Sequence, residues 1–501
     1  MPFAIGIDVG TTNTKAVLCE LPTCDSLLVE KIASPKITTN SNTDYDVRSL
    51  CDGVYNLLKK CVLKLGAKSS DIQFVSIASV GESGVLIYPD GSFSSRSIYW
   101  YDNRGEVYAR NAIESGFSET LYHITGVPTH SNSALFKILW MRDHGSDLKN
   151  ATWLTMADFI AWTLCGCAGQ DRTLASRTAA YDVENDCMSS EVLNHYRIPS
   201  TLFADIVDSG SPRGLVTREV QEKTGLPPTC NVCVSGHDHM SGAVACNLLQ
   251  SGGALNSTGT SEGLLLLKDD ADLSDSSMKR QITNGRFVDR DKFTSYASVP
   301  SAGLSFEWSL RTLGKDQDQF FNKGQEKIFR EYLDGNFEKT KIVFVPHLRG
   351  SGPPDRDSDS RAFVYGMSDM TSDDELLYAT HLGVCLEFAC LCNCMTNGKG
   401  LNKDIAVKVI GPAAKNPLWM QLKADVLNTK FLACDVTEAV ARGSVIVSAS
   451  KFGYEVTPRV PIREFAPDAG RHQMLQKFLE RWYVPLSEAV RAFERNVEKE
   501  K

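Results

Sequence analysis

The chain has 501 residues, 42% hydrophobic and 23% charged, the balance of an ordinary globular protein long enough for two or three well-buried domains. A formal net charge of −8 and an isoelectric point near 5.7 argue against a nucleic-acid surface or a polybasic membrane face. Apolar runs fall far short of the ~20 residues of a spanning helix, and a strand pattern starts by residue 4 with no room for a signal peptide, so a cytoplasmic protein is expected.

The chain opens on a strand, a tight polar turn and a strand. Ile5, Ile7 and Val9 lead into Gly10-Thr11-Thr12-Asn13-Thr14, and Ala16-Val17-Leu18 lead out. Gly10 lets backbone N–H groups crowd an anion with no Cβ in the way. The Thr11, Thr12 and Thr14 hydroxyls and the Lys15 ammonium add donors at the same spot. Asp8 ends the first strand, where a carboxylate faces a metal ion or its waters. Taken alone, this segment reads equally well as a hairpin with a polar tip.

Strand patterns follow at 71–79 and 84–88, flanking Val80-Gly81-Glu82-Ser83, and helical patterns at 133–144 and 151–164. Val232-Cys-Val-Ser-Gly-His-Asp238 is a strand running into a turn that carries an acid, then a small-residue helix start. By spacing alone, Asp238 is as much a helix-capping acid as a chemical group. Gly252-Gly253 marks the hinge between halves, which places the domains at 1–250 and 251–501.

The second half repeats the opening: in 255–267 a Gly259-Thr260-Ser261 turn is again followed by an apolar run. Two phosphate-type hairpins about 250 residues apart point to two similar domains facing one nucleotide, one from each side. Residues 268–280 read as a solvated loop, 341–346 as a strand, 350–359 as irregular and 373–396 as a long helix. Cys385, Cys390, Cys392 and Cys394 lie on that helix without C-x-x-C spacing or a following histidine, so they read as core residues, and all fifteen cysteines as reduced thiols. Val407–Ala414 is a strand entering a small-residue turn, 419–427 a helix, and the tail beyond about 470 helical.

From Gly6 to about Gly453 these segments resemble the FGGY carbohydrate kinases. The resemblance is carried by Gly6-Ile-Asp-Val-Gly-Thr-Thr-Asn-Thr-Lys15, Trp100-Tyr-Asp-Asn-Arg104, Thr125-Gly-Val-Pro128 and Gly236-His-Asp-His-Met-Ser-Gly-Ala243. It continues in Ser257-Thr-Gly-Thr-Ser261, Ser301-Ala-Gly-Leu-Ser-Phe-Glu-Trp308, Phe344-Val-Pro-His347 and Ala414–Asp425. It implies an α/β fold of two ribonuclease-H-like domains of the actin-like ATPase superfamily, flanking a deep cleft. It also implies ATP-dependent phosphorylation of a sugar or polyol hydroxyl. On that footing Asp238 is the general base, and Asp8, with Asp238, is the acid facing Mg²⁺. Gly10, Thr11, Thr12, Asn13, Lys15, Gly259, Thr260 and Gly303 flank the phosphates, and Gly411, Ala413 and Asn416 the adenine end. The Gly411-Pro412-Ala413-Ala414 turn departs from the family's Gly-rich form. Gln421 and Asp425 match as well, and equally suit structural helix positions.

The acceptor residues the resemblance implies are Gly81, Glu82, Trp100, Asp102, Asn132, Asp238 and the weaker His239. Glu82 suits two hydroxyls and Trp100 a sugar's C–H face. Gly81-Glu82-Ser83 matches neither the glycerol-kinase Arg-Glu-Thr nor the xylulose-kinase Gln-x-His, so the acceptor stays open, with a ketopentose first and glycerol, another polyol or a ketohexose behind it. A sugar-sensing actin-like ATPase without turnover is the alternative from another class. The partners expected are a small sugar or polyol and ATP, with no nucleic acid and no membrane; a homodimer is left open, no surface stripe marking an interface.

Overall fold

The computed structural model describes residues 1–499 except 40–41, 318–319, 321–323, 355 and 457. Its first half holds β1 (Phe3–Val9), β2 (Asn13–Glu20), β3 (Asp25–Ala33), α1 (Val47–Leu65), β4 (Ile72–Ser79), α2 (Met156–Cys165), β5 (Pro212–Leu215), β6 (Asn231–His237) and α3 (Asp238–Ala245). The second half adds β7 (Ala254–Thr258), β8 (Glu262–Lys268), β9 (Thr283–Arg286), β10 (Phe293–Val299), α4 (Gly303–Thr312) and α5 (Asp373–Met395). It closes with β11 (Val407–Ile410), α6 (Pro417–Leu427), β12 (Phe431–Cys434), α7 (Ala439–Ala449) and β13 (Ile462–Phe465), ahead of a helical tail.

One strand order appears twice. The first sheet runs β5-β6-β4-β1-β2-β3 and the second β9-β10-β8-β7-β11-β12-β13. In each, a hairpin (β1/β2, β7/β8) is antiparallel and extends antiparallel to a third strand, while the hairpin's first strand pairs parallel with a fourth and that one with a fifth. Two copies of this ribonuclease-H-like order, each backed by helices, make an α/β protein. All seven residues of β1 are buried, as a central strand covered on both faces requires, whereas β3 at the edge alternates. The helix α1 starts where Asp46 accepts from the Ser49 N–H at 3.2 Å, and it turns Leu50, Val54, Leu57, Leu58 and Cys61 toward the first sheet.

The two halves are joined by helices rather than by the linker alone. α7 belongs to the second half by sequence, yet it lies on the first sheet beside α3. Ser76 Oγ in β4 donates to the Ser444 carbonyl at 2.8 Å and lies 2.7 Å from Ser448 Oγ. Glycine makes the approach possible: a Cβ on Gly6 would stand 1.9 Å from the Ala441 oxygen, and one on Gly443 would stand 1.8 Å from the Ser241 oxygen. An apolar cluster including Ala4, Val17, Leu255, Leu265 and Val445 fills the space between the sheets. The 248–253 connection, where Gly252 donates to the Leu267 carbonyl at 2.8 Å, leads directly into β7.

The described residues differ from the sequence reading in three places. The 151–164 segment is a strand, Thr152–Thr155, followed by α2; Thr155 caps the helix, its hydroxyl 2.6 Å from Asp158 Oδ2, and that cap ends the strand. The polar 268–280 stretch carries a short helix, Asp275–Lys279, capped by Ser274. α5 is long and apolar enough, by length and composition, to cross a membrane; 83% of its apolar window is buried inside the protein, where it packs in the second half's core. All fifteen cysteines are unbridged, and those on α5 are core residues.

Behind the second hairpin, Lys423 of α6 is fully buried between the Phe388 and Trp419 rings, 5.0 and 5.4 Å from their centroids. Its ammonium donates to Asn256 Oδ1 at 2.6 Å and to the Glu262 carboxylate, itself fully buried. The pair ties α6 to β7 and β8. Removing one partner of such a pair costs about 3–5 kcal/mol, because the remaining charge is left without compensation. Lys423→Met is therefore expected to lower the urea midpoint of the second half, with part of the loss recovered in Lys423→Met/Glu262→Gln; an unchanged midpoint in the single variant would contradict this.

Candidate active site

Three parallel strands, β1, β4 and β6, end at one sheet edge. Asp8 is opposite Ala78, and Ser79 is opposite His237, so Asp8, the Val80–Ser83 loop and His237-Asp238 emerge side by side. The carboxyl ends of parallel strands are where loops form a site in open sheets. Asp8 is 8% exposed, and its carboxylate makes no hydrogen bond or ion pair among the described residues. Burial, and then the charge of Asp238, push its pKa to about 7, with cross-strand Lys15 pulling the other way.

Asp238 is the first residue of α3. Burial alone would raise its pKa, but the neighbouring His239 and His237 and their hydrogen bonds hold it well below the ordinary carboxylate value. Its Oδ1 accepts from the His239 N–H at 2.6 Å and lies 2.8 Å from His237 Nδ1, and its Oδ2 has no hydrogen bond among the described residues. His239 is pushed down by burial; its Nδ1 lies 2.9 Å from Ser257 Oγ in β7, and its ring lies 4.7 Å from Tyr296 in β10. His239, next to Asp238, thus touches both halves of the protein.

Gly10–Asn13 and Gly259–Ser261 form the two hairpin tips, open to solvent. Gly10 donates to the Asn13 carbonyl at 3.1 Å, and a Cβ on Gly10 would come within 2.8 Å of that oxygen. Thr11 Oγ1 accepts from Trp100 Nε1 at 2.9 Å, so Trp100 ties the first tip to the 99–104 loop. The Lys15 ammonium is held by Glu438 at 2.6 Å, immediately before α7. On the other tip, Gly303 and Leu304 at the start of α4 donate to the Gly259 and Thr260 carbonyls at 3.1 and 3.2 Å. A Cβ on Gly303 would lie 2.3 Å from the Gly259 oxygen.

The Gly411–Asn416 turn is braced from behind. Gly411 has φ 95°, and a Cβ there would lie 2.0 Å from the Thr258 oxygen. Pro412 opens a short 3₁₀ turn, a position that needs no N–H, and Ala413 turns its methyl into the core while its N–H donates to Thr258 Oγ1 at 3.1 Å. The departure from glycine is thus absorbed by packing. Asn416 is 1% exposed: its Oδ1 caps α6 through the Trp419 N–H at 3.1 Å, and its amide meets His381 Nε2 at 3.0 Å. Its side chain holds the turn in place. Gln421 and Asp425 are structural too, Asp425 accepting from Tyr332, Arg471 and the Asp468 N–H.

In the Val80–Ser83 loop, Glu82 sits at φ 60° and its Oε1 accepts from Arg177 Nε at 2.8 Å. Buried Lys137 donates to the carbonyls of Glu82 and Trp100 at 3.1 and 2.9 Å, and burial pulls its pKa to about 7. Gly81 faces His237 and Arg177, whose atoms a Cβ would meet at 3.0 and 3.3 Å. Asp102 is not free: Oδ1 takes the Arg104 backbone and Nε at 3.0 and 2.8 Å, and Oδ2 takes the Thr43 N–H at 2.9 Å, so it braces the loop instead of contacting an acceptor. Asn132 is half-buried next to His130, and its side-chain amide has no partner among the described residues. Arg177, Lys137 and Tyr296 were not predicted; they lie in stretches without a motif, and only the fold brings them here.

Among the described residues no group of three or more His, Cys, Asp or Glu side chains is placed to hold a metal. A hydrated Mg²⁺ needs only one or two carboxylates beside phosphate oxygens. Asp8, buried, unpartnered and repelled by Asp238, fits that ion.

Comparison with known proteins agrees with this geometry. Residues 3–245 match the N-terminal domain, and residues 254–452 the C-terminal domain, of the FGGY family of carbohydrate kinases. The chain is 24% identical to the xylulose kinase of Bacillus subtilis (strain 168) over 488 residues, covering 95% of each. It is 22% identical to the glycerol kinase of Alteromonas mediterranea over 460 residues, covering 90% of each. Among solved structures, ligand-bound xylulose kinase from Lactobacillus acidophilus superposes with a TM-score of 0.88 at 20% identity over 99% of this chain and 100% of that one. Plasmodium falciparum glycerol kinase with ADP gives 0.84 at 19% identity over 97% and 99%; at such identities the likeness is one of fold. With both family domains matched across most of its length, the chain belongs to the FGGY family of carbohydrate kinases, ATP-using sugar phosphotransferases.

Proposed function

We propose that this kinase moves the γ-phosphoryl group of ATP to a hydroxyl of a small sugar or polyol, with Asp238 as the base. A ketopentose is the first acceptor to test, and glycerol, other polyols and ketohexoses come next. The observation that carries the reading is Asp238 itself: an ionised carboxylate at the edge where β1, β4 and β6 end, with Oδ1 accepting from the His239 N–H and Oδ2 without a hydrogen bond among the described residues.

The acceptor oxygen attacks the γ-phosphorus, its proton passes to Asp238 Oδ2, and the bond from that phosphorus to the β-phosphate oxygen breaks to release ADP. A carboxylate held so low is a weak base, which suits a loose transition state in which the hydroxyl becomes acidic only as the new P–O bond forms. The Asp238 hydrogen bonds therefore serve chiefly to aim the acceptor. Asp8, with Asp238 across the edge, would hold Mg²⁺, which neutralises phosphate-oxygen charge when bound. The two hairpin tips hold the phosphates from opposite halves, and closure around both substrates excludes water.

ADP release with Mg-ATP, measured against ketopentoses, ketohexoses, glycerol and other polyols, checks the reading. One acceptor should raise turnover well above background. Asp238→Asn should lower kcat by about 10²–10⁴-fold without a loss of thermal stability. ATP consumption that no acceptor stimulates, unchanged in the variant, would favour a sugar-sensing ATPase instead. Gly303→Ala, which drives a methyl into the Gly259 carbonyl, should raise the KM for Mg-ATP and leave that for the acceptor in place; unchanged ATP kinetics would remove the second tip from the nucleotide site.

A further inference from the structure

Of the fifteen cysteines, Cys167 and Cys187 are the exposed ones, and their surroundings differ. Cys187 stands opposite Asp182 in a short hairpin. Cys167 has a second thiol beside it. Cys165 is the last residue of α2, and the chain turns back there through Gly166, which sits at φ 75° and donates its N–H to the Trp162 carbonyl at 2.7 Å. A left-handed residue at that point favours glycine.

The turn brings the two cysteines across each other. Cys167 Sγ lies 3.7 Å from the Cys165 carbonyl oxygen, and Cys165 Sγ lies 4.0 Å from the Cys167 oxygen. Both sulfurs lie over Gly214 of the edge strand β5, where a Cβ would stand 3.0 Å from Cys167 Sγ and 3.7 Å from Cys165 Sγ. The thiols are hydrogen-bond partners of one another. Residues two apart in a folded-back turn fall within the roughly 4.4–6.8 Å between Cα atoms that a disulfide spans. The two sulfurs are unlike in access. Cys165 is buried, its Sγ donates to the Ala161 carbonyl at 3.2 Å, and burial pushes its pKa to about 11, whereas Cys167 is open to solvent. One accessible sulfur with a sheltered one behind it is the arrangement of an attacking and a resolving thiol.

We propose that Cys165 and Cys167 form a reversible thiol–disulfide pair, a modification site that reacts with small disulfides such as oxidised glutathione. The Cys167 thiol gives its proton to solvent, and its sulfur attacks one sulfur of the small disulfide. That S–S bond breaks, and one glutathione leaves as a thiolate that takes up a proton. Cys165 then attacks the Cys167 sulfur and loses its proton as the second glutathione leaves with one. The two cysteines are oxidised, one glutathione disulfide is reduced to two thiols, and the reverse steps reopen the pair. The pair is remote from the two acids. α2 begins beside the sheet edge, where the Ala157 N–H donates to Ser79 Oγ at 3.1 Å, and Cys165 lies at its far end, about 15 Å along the helix axis.

The test uses the full-length reduced protein, incubated with excess oxidised glutathione, quenched in acid, alkylated after unfolding and cut with trypsin. Cys165 and Cys167 fall in the peptide 150–172, which holds no other cysteine, and Cys187 falls alone in 178–197. Peptide 150–172 is expected to lose two hydrogens, take no alkyl group and return to the dithiol with dithiothreitol. In Cys165→Ser the product should change from the closed disulfide to a stable glutathione adduct on Cys167. In Cys167→Ser, Cys165 should stay alkylatable, its modification slowed at least tenfold. Wild-type peptide 150–172 alkylated at both cysteines overturns the proposal, whatever Cys187 has done. So does a glutathione adduct on that peptide that never closes. These readouts use no turnover, so the kinase reading stands or falls separately.

Discussion

Everything at this site depends on two carboxylates that the sheet forces onto one edge. β1 and β6 are separated only by β4, so Asp8 and Asp238 emerge about two strand spacings apart, roughly 10 Å between strand axes. Two bare carboxylates in a half-buried cleft repel each other, and the protein resolves the conflict unequally. Asp238 receives the N–H of His239 and the ring of His237, and it sits at the N-terminus of α3, where backbone N–H groups favour negative charge. Asp8 receives nothing comparable and is left with a raised pKa. Environments that push two acids apart in this way give them different work.

The same edge explains the two-half design. A single ribonuclease-H-like sheet supplies one Gly/Thr tip and the two acids; the second copy supplies the second tip and the Gly411–Asn416 turn. What holds the halves in register is the pair α3 and α7, packed so closely that only glycine fits at Gly6 and Gly443. α3 carries Asp238 at its start and α7 follows Glu438, the partner of Lys15, so a change in the packing of these helices moves Asp238 and the first tip together. His239 adds a direct tie, with Ser257 and Tyr296 both reaching it from the second sheet.

Much of this was legible in the chain, because hairpin tips and strand-end acids are local patterns. Asp8, the Gly10–Asn13 tip, the Gly259–Thr260 tip and Asp238 all stand where strand and turn chemistry put them. What the pattern does not encode is which polar groups are already spent. Asp102 and Asn416 match the family motif yet use their side chains to brace loops, a fact that depends on Arg104, Thr43, Trp419 and His381 arriving from elsewhere. Arg177, Lys137 and Tyr296 were silent for the converse reason: their neighbours in sequence carry no motif, and long-range packing alone gives them a role. The strand at Thr152–Thr155 was missed because an aromatic-rich segment suits either state until the Thr155 cap divides it.

The division of labour between the two acids is tested most directly by the Mg²⁺ dependence of acceptor-stimulated ATP turnover in Asp8→Asn and Asp238→Asn. Asp8→Asn is expected to shift the Mg²⁺ requirement upward by about tenfold or more, in line with the loss of a carboxylate ligand. Asp238→Asn is expected to lower the rate at every Mg²⁺ concentration and leave the midpoint where it was. Equal midpoint shifts in both variants, or a full rate in Asp238→Asn at high Mg²⁺, would contradict the assignment of base and metal acid to this edge.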